Sequence, residues 1–267
     1  MTGLCRPQFE RMDVVTEQPL DSQHEWLGHL AADDEIAVAA TAAVQAGDLP
    51  AVEQLLVSHP ELATIRIGDP GCSRTLLHAA TDWPGKFPNG PAVVEALVRA
   101  GADVNARFVG SHAETPLHWA ASSDDVAVLD ALLDAGADIE ADGAVLGGGS
   151  PLADACGFAN YAAARRLVER GARTRLKDAA ALGMIERVEE LLGVEPPPDH
   201  EEITRALWSA CQGGQRGAAE RLVERGADVN WLGWDDLTPL DVARTSGAAD
   251  LVDWLLTVGA TSAGELR

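Results

Sequence analysis

The stretch Glu114-Thr115-Pro116-Leu117-His118-Trp119-Ala120-Ala121 decides how the chain reads, together with the apolar run over residues 126–133 and Gly136-Ala137-Asp138-Ile139 that follow it. A proline just inside a helix start loses no hydrogen bond, because that N–H has no intrahelical partner anyway. Thr115 caps the same end, and the paired alanines leave room for a second helix to approach closely. Gly136 stands where a helix closes in a left-handed turn. The spacing therefore predicts two short helices, one starting at the proline and one ending at the glycine.

The same order recurs along the chain. Thr75-Leu76-Leu77-His78-Ala79-Ala80, Ser150-Pro151-Leu152 and Thr238-Pro239-Leu240 open other units, and Gly101-Ala102-Asp103-Val104-Asn105 and Gly226-Ala227-Asp228-Val229-Asn230 close them. Aligned on the second-helix leucines, the chain gives seven units, whose threonine-equivalent positions are Val38, Thr75, Thr115, Ser150, Thr174, Arg205 and Thr238. In six of the seven, first- and second-helix positions such as Leu117 and Leu132 are 15 residues apart. These motifs resemble the ankyrin repeat, a helix–turn–helix unit of about 33 residues with a T-P-L-H-x-A signature. The resemblance implies an all-α solenoid with short hairpin fingers, spanning residues 35–267 with repeats starting near 38, 75, 115, 150, 174, 205 and 238. Residues 1–34 read as a tail or a short capping helix built on Trp26, Leu27 and Leu30.

Composition narrows the function. Forty-two acidic against 20 basic residues give a net charge of −22, which repels phosphate backbones and anionic lipid, so neither nucleic acid nor a membrane surface is an expected partner. The near-absence of lysine beside arginine points to a GC-rich bacterial genome. Four dispersed cysteines (Cys5, Cys72, Cys156 and Cys211) lack metal-ligand spacing and predict reduced thiols in a cytoplasmic protein. His24 and His29 have no companion ligands, so neither a metal nor a cofactor is expected.

The departures from the repeat are where binding is expected. Repeat two carries a proline- and glycine-rich insertion containing Asp82, Trp83, Lys86 and Phe87. Its finger supplies Arg107, Phe108 and His112, Glu114 stands just before the threonine of repeat three, and the finger of repeat six supplies Trp231, Trp234 and Asp235. Trp119, Ser122 and Phe158 complete the candidate surface; in ankyrin-like folds partners dock on the concave side made by fingers and first helices. Aromatics are scarce here (4%), yet they concentrate in these loops, as interface anchors do. Repeats four and five leave no room for a finger. His78 and His118 occupy the signature histidine position, which in this family ties neighbouring repeats together.

Two readings follow. In the first, the chain is a non-enzymatic module engaging a protein or peptide with a basic or apolar patch. In the second, Asp154, on a helix suited to burial, joins His112 and Glu114 in a polar pocket that binds a small molecule or performs acid–base catalysis. No nucleophile elbow, zinc-protease motif or phosphate-binding loop supports a named reaction.

Overall fold

The structure is a computed structural model that describes residues 28–145 and 148–266. Cys5, His24, Trp26 and Leu27 lie outside these residues. The chain divides into two compact units, Met1–Asp138 and Ile139–Arg267.

In the first unit, strand β1 (His29–Leu30) precedes helices α1 (Glu35–Ala46) and α2 (Leu49–Ser58) and a 3-10 turn (Pro60–Ala63). A hairpin of β2 (Arg66–Asp69) and β3 (Cys72–Arg74) follows, then α3 (Leu76–Thr81), α4 (Gly90–Arg99), α5 (Pro116–Ser122) and α6 (Val126–Asp134). The all-α class thus carries a small three-stranded sheet of order β1-β2-β3, with β1 parallel and β3 antiparallel to β2. Ser73 continues it by a bridge to Val109 in the next finger. The second unit pairs α7 (Pro151–Gly157) with α8 (Tyr161–Glu169), α9 (Leu176–Ala181) with α10 (Ile185–Leu192), α11 (His200–Gln212) with α12 (Arg216–Glu224), and α13 (Pro239–Ser246) with α14 (Ala249–Thr257). A short α15 (Ala263–Leu266) ends the described chain.

Each unit is cored by one leucine from most helices plus the small residues that let them approach. Leu77, Leu97, Leu117 and Leu132 are fully buried in the first unit, and Leu152, Leu167, Leu207, Leu222 and Leu240 in the second. Deleting one such side chain typically costs about 2–5 kcal/mol, because the rigid neighbours cannot collapse into the void.

The helix starts explain the signature. Thr75 with His78 and Thr115 with His118 form reciprocal capping boxes, and the same box is built by Asp199 with Glu202 and Thr238 with Asp241. In α9 only half of the box exists: the Asp178 carboxylate accepts the Arg175 N–H at 2.9 Å, while the Arg175 guanidinium has no acceptor with which to return the bond, and the helix starts at Leu176. Helix α11 begins at His200, ahead of Arg205, since Asp199 already supplies a cap there.

The closing Gly-Ala-Asp turns are bound to the preceding repeat by a single side chain. Asn105 accepts the Asp138 N–H at 2.8 Å and donates to the Gly136 carbonyl at 3.3 Å. Asn230 repeats this on Thr261 and Gly259. Glu140 stands in at another joint, accepting the Arg173 N–H, and within the α11–α12 pair Thr204 accepts the Asp228 N–H.

The cysteines depart from the expected four reduced thiols. Cys72 is disulfide-bonded, whereas Cys156 and Cys211 are free and buried.

Candidate functional site

The insertion of repeat two separates α3 from α4, and several contacts hold it. Asp82 is ion-paired with the buried Arg74 of β3 and caps its own turn by accepting the Trp83 N–H at 2.9 Å. The Lys86 N–H donates to Asp125 at 2.6 Å, and its ammonium lies 3.6 Å from Asp124. At the far end, Asn89 donates to the Gly47 carbonyl at 2.9 Å. A loop pinned to β3, to the α5–α6 turn and to the α1–α2 turn is preorganised, so ordering it costs little when a partner arrives. Phe87 is half-buried, while Trp83 is 71% exposed. A large apolar ring held out from a fixed loop loses little entropy on being covered.

The finger of the same repeat is arranged inward around Glu114. Glu114 Oε2 accepts from Trp119 Nε1 at 2.9 Å. It also lies 2.9 Å from His112 Nδ1, close enough for an ion pair but not aligned as a hydrogen bond. The His112 ring stacks on Phe108 with centroids 4.5 Å apart, and Phe108 and Trp119 are 5.6 Å apart. His78 meets Trp119 edge-on at 5.0 Å and donates from Nε2 to the Glu114 carbonyl at 3.2 Å, the inter-repeat tie implied by the signature. Phe108 and Glu114 are buried, so these two brace the finger from within. Arg107, exposed at its edge, donates to the Ala113 carbonyl, and Ser122 Oγ donates to the Trp119 carbonyl.

The second unit holds the remaining candidates. Asp154 is fully buried on α7, and Phe158, half-buried, closes that helix by donating its N–H to the Asp154 carbonyl. On α9 Asp178, close enough to Cys156 of α7 to act on its thiol, is buried with Oδ1 lacking a hydrogen-bond partner among the described residues, and burial pushes its carboxyl above the usual carboxylate range. Such a group disfavours its charged form in the folded chain, and folding stability declines as pH rises above the unfolded value of about 4. Asp178→Asn is therefore expected to raise the urea midpoint at pH 8 and to leave it unchanged at pH 3. A gain independent of pH would mean that the carboxyl is not the cause.

In the finger of repeat six, Trp231 and Trp234 do not stand alone. Trp234 meets Trp208 of α11 at 4.9 Å and Trp231 at 5.8 Å, both edge-to-face. The Leu237 carbonyl accepts from Trp208 Nε1 and from the Gly233 N–H, each at 3.0 Å, which folds the finger back on the helix. A Cβ at Gly233 would lie 2.6 Å from both Trp208 and Trp231, so only glycine fits between these indoles. Trp208 reads in the sequence as helix core or groove wall; it is buried in the core of the second unit, and its indole N–H and its contact with Trp234 also tie the finger to that core. Asp125, Asn89 and Gly47 likewise carry no sequence signal for docking a loop 39 to 42 residues away.

No helix among the described residues is long and apolar enough to cross a membrane, and none of their side chains forms a cluster of three or more metal-ligating residues. A curated relative, an ankyrin repeat and KH domain-containing protein of Caenorhabditis briggsae, is 32% identical over 180 residues, or 64% of this chain. The match spans 7% of that relative's length. Among solved structures, the human ASB11 ankyrin repeat domain aligns with 81% of this chain and 96% of its own at 20% identity, with a TM-score of 0.49. The family described as Ankyrin repeats (3 copies) matches residues 40–143, 86–178 and 176–262, most of the sequence. With the Thr-Pro-Leu helix starts, the Gly-Ala-Asp turns and the helix pairs in place, the chain belongs to the ankyrin-repeat family.

Proposed function

We propose that residues 35–267 form a protein-binding ankyrin-repeat domain, with repeats starting near 38, 75, 115, 150, 174, 205 and 238, that holds its partner through aromatic loops beside the first helices. Ankyrin repeats in general are protein–protein interaction modules. The observation that carries the more specific reading is Trp83, 71% exposed on an insertion tied down at three places. The acidic surface selects a partner with a basic or apolar patch. The polar groups of the finger favour this reading over acid–base chemistry. Glu114 is engaged by Trp119, and His112 is stacked on Phe108, so both serve to shape the finger of repeat two.

The test is affinity capture from the native host with mass spectrometry of bound proteins, run in parallel with the wild type and Trp83→Ala. Loss of an exposed aromatic anchor is expected to weaken a specific partner by about tenfold or more, near 1.4 kcal/mol, without changing the urea midpoint. A partner retained equally by Trp83→Ala would take the insertion out of the interface.

A further inference from the structure

The tryptophan group of the repeat-six finger has a feature that its packing role leaves over. Trp208 and Trp231 hold Trp234 edge-to-face, with centroids at 4.9 and 5.8 Å, yet 44% of Trp234 remains open to solvent. Next to it Asp235 and Asp236 are both exposed and both have left-handed backbone, φ 58° and 55°. Two consecutive non-glycine residues in that region are unfavourable, and aspartate is among the few side chains that tolerate it. Strain of this kind persists where the surroundings enforce it, here the Gly233 and Trp208 bonds to the Leu237 carbonyl. Two exposed aspartates thus directly follow an open indole in a turn whose backbone is fixed. The arginines nearest in sequence are engaged elsewhere, Arg225 by the Leu192 carbonyl and Arg244 by Asp241.

We propose that this finger captures an arginine side chain of the partner, its guanidinium lying on Trp234 while Asp235 accepts from its N–H groups. This deepens, and rests on, the reading of the chain as a protein-binding module. An indole attracts cations through its quadrupole, and a carboxylate adds a forked hydrogen bond. The net charge of −22 raises the local concentration of basic segments and suppresses acidic ones. The geometry selects arginine over lysine. Trp208 and Trp231 both pack edge-to-face on Trp234, which leaves that one ring partly open, and a planar guanidinium can lie flat on such a ring and fork to a carboxylate as a compact ammonium cannot.

The test uses the full chain, labelled with nitrogen-15, and three short glycine–serine peptides that differ only in a central arginine, lysine or citrulline. The Trp234 indole resonance is assigned with Trp234→Phe. The arginine peptide is expected to shift that resonance with an affinity roughly threefold or more tighter than the citrulline peptide, and with lysine between them. Asp235→Asn, which keeps a residue tolerant of left-handed backbone, is expected to erase most of the arginine preference while the other indole resonances stay in place. Trp234→Ala is expected to remove the shifts of the neighbouring Trp208 and Trp231 indoles. Equal binding of citrulline, tighter binding of lysine, no shift with any peptide, or an arginine preference untouched by Asp235→Asn would each overturn the proposal. Trp83 lies in the other unit, so if the peptide test fails while a native partner is still lost with Trp83→Ala, the interaction module stands and only the arginine site fails.

Discussion

Gly47→Ala is expected to cost about 3 kcal/mol of stability, although the change adds one methyl group at a turn. Gly47 ends α1 with φ 65°, where an L-residue is disfavoured by roughly 1 kcal/mol. The rest comes from the insertion. A Cβ at this position would lie 1.9 Å from the Pro88 carbonyl oxygen and 2.5 Å from its carbon, so backbone has to move. Moving Pro88 also breaks the bond from Asn89 to the Gly47 carbonyl. Urea unfolding followed by far-UV circular dichroism measures the loss. Since the insertion carries Trp83, the variant should also weaken the native partner in the capture experiment while the finger of repeat six keeps its peptide response. An unchanged midpoint would show that the insertion does not dock on this turn.

Acidification supplies the second large effect. His78 is fully buried, and desolvation lowers its pKa from 6.5 to about 3, against the pull of the Glu114 carbonyl. The neutral ring fits its bonds, with Nε2 donating to Glu114 and Nδ1 accepting from the Thr75 N–H at 3.3 Å. The unfolded chain takes up a proton near pH 6.5 that the folded chain refuses. Stability from this group is thus complete above about pH 6.5 and is lost progressively as pH falls toward 3, by about 1.4 kcal/mol per unit. Between pH 7 and pH 5 the loss is about 2 kcal/mol. Asp178, with its carboxyl pushed up, opposes this trend at the acid end, so the quantity to measure is the difference between wild type and His78→Gln across pH. The glutamine variant should be less stable at pH 7 and should show a flatter acid profile. Parallel profiles would remove His78 as the titrating group.

The sequence made the repeats legible because their signals are local. A proline or threonine at a helix start and a glycine at its end act within one turn, and Leu117 to Leu132 counts out a fixed pair of helices. The loops that carry the aromatics were legible for the same reason, since three prolines over residues 81–91 cannot continue a helix. What the sequence concealed depends on contacts distant along the chain. Trp83 and Phe108 look alike as loop aromatics, yet one is exposed and the other is covered by His112 and Trp119. Trp208 lies 26 residues before Trp234, and nothing in its helical setting signals that its indole supports a finger. The cap at Arg175 was hidden by Leu176, whose position suits the leucine spacing although Asp178 fixes the helix start.

The side chains that receive the Gly-Ala-Asp turns carry a consequence for how such a chain can change. Asn105 and Asn230 both bond the N–H and a carbonyl of the next turn, so the identity of the following helices matters little to the joint. Side chains add to it at two places, where the Thr261 hydroxyl donates to Asn230 and the Arg173 guanidinium pairs with Glu140. A coupling that reads mainly backbone behaves as a standard fitting. Units can be duplicated, lengthened between their helices or stripped of a finger while the connection to the next one is kept, which leaves the loops free to diversify.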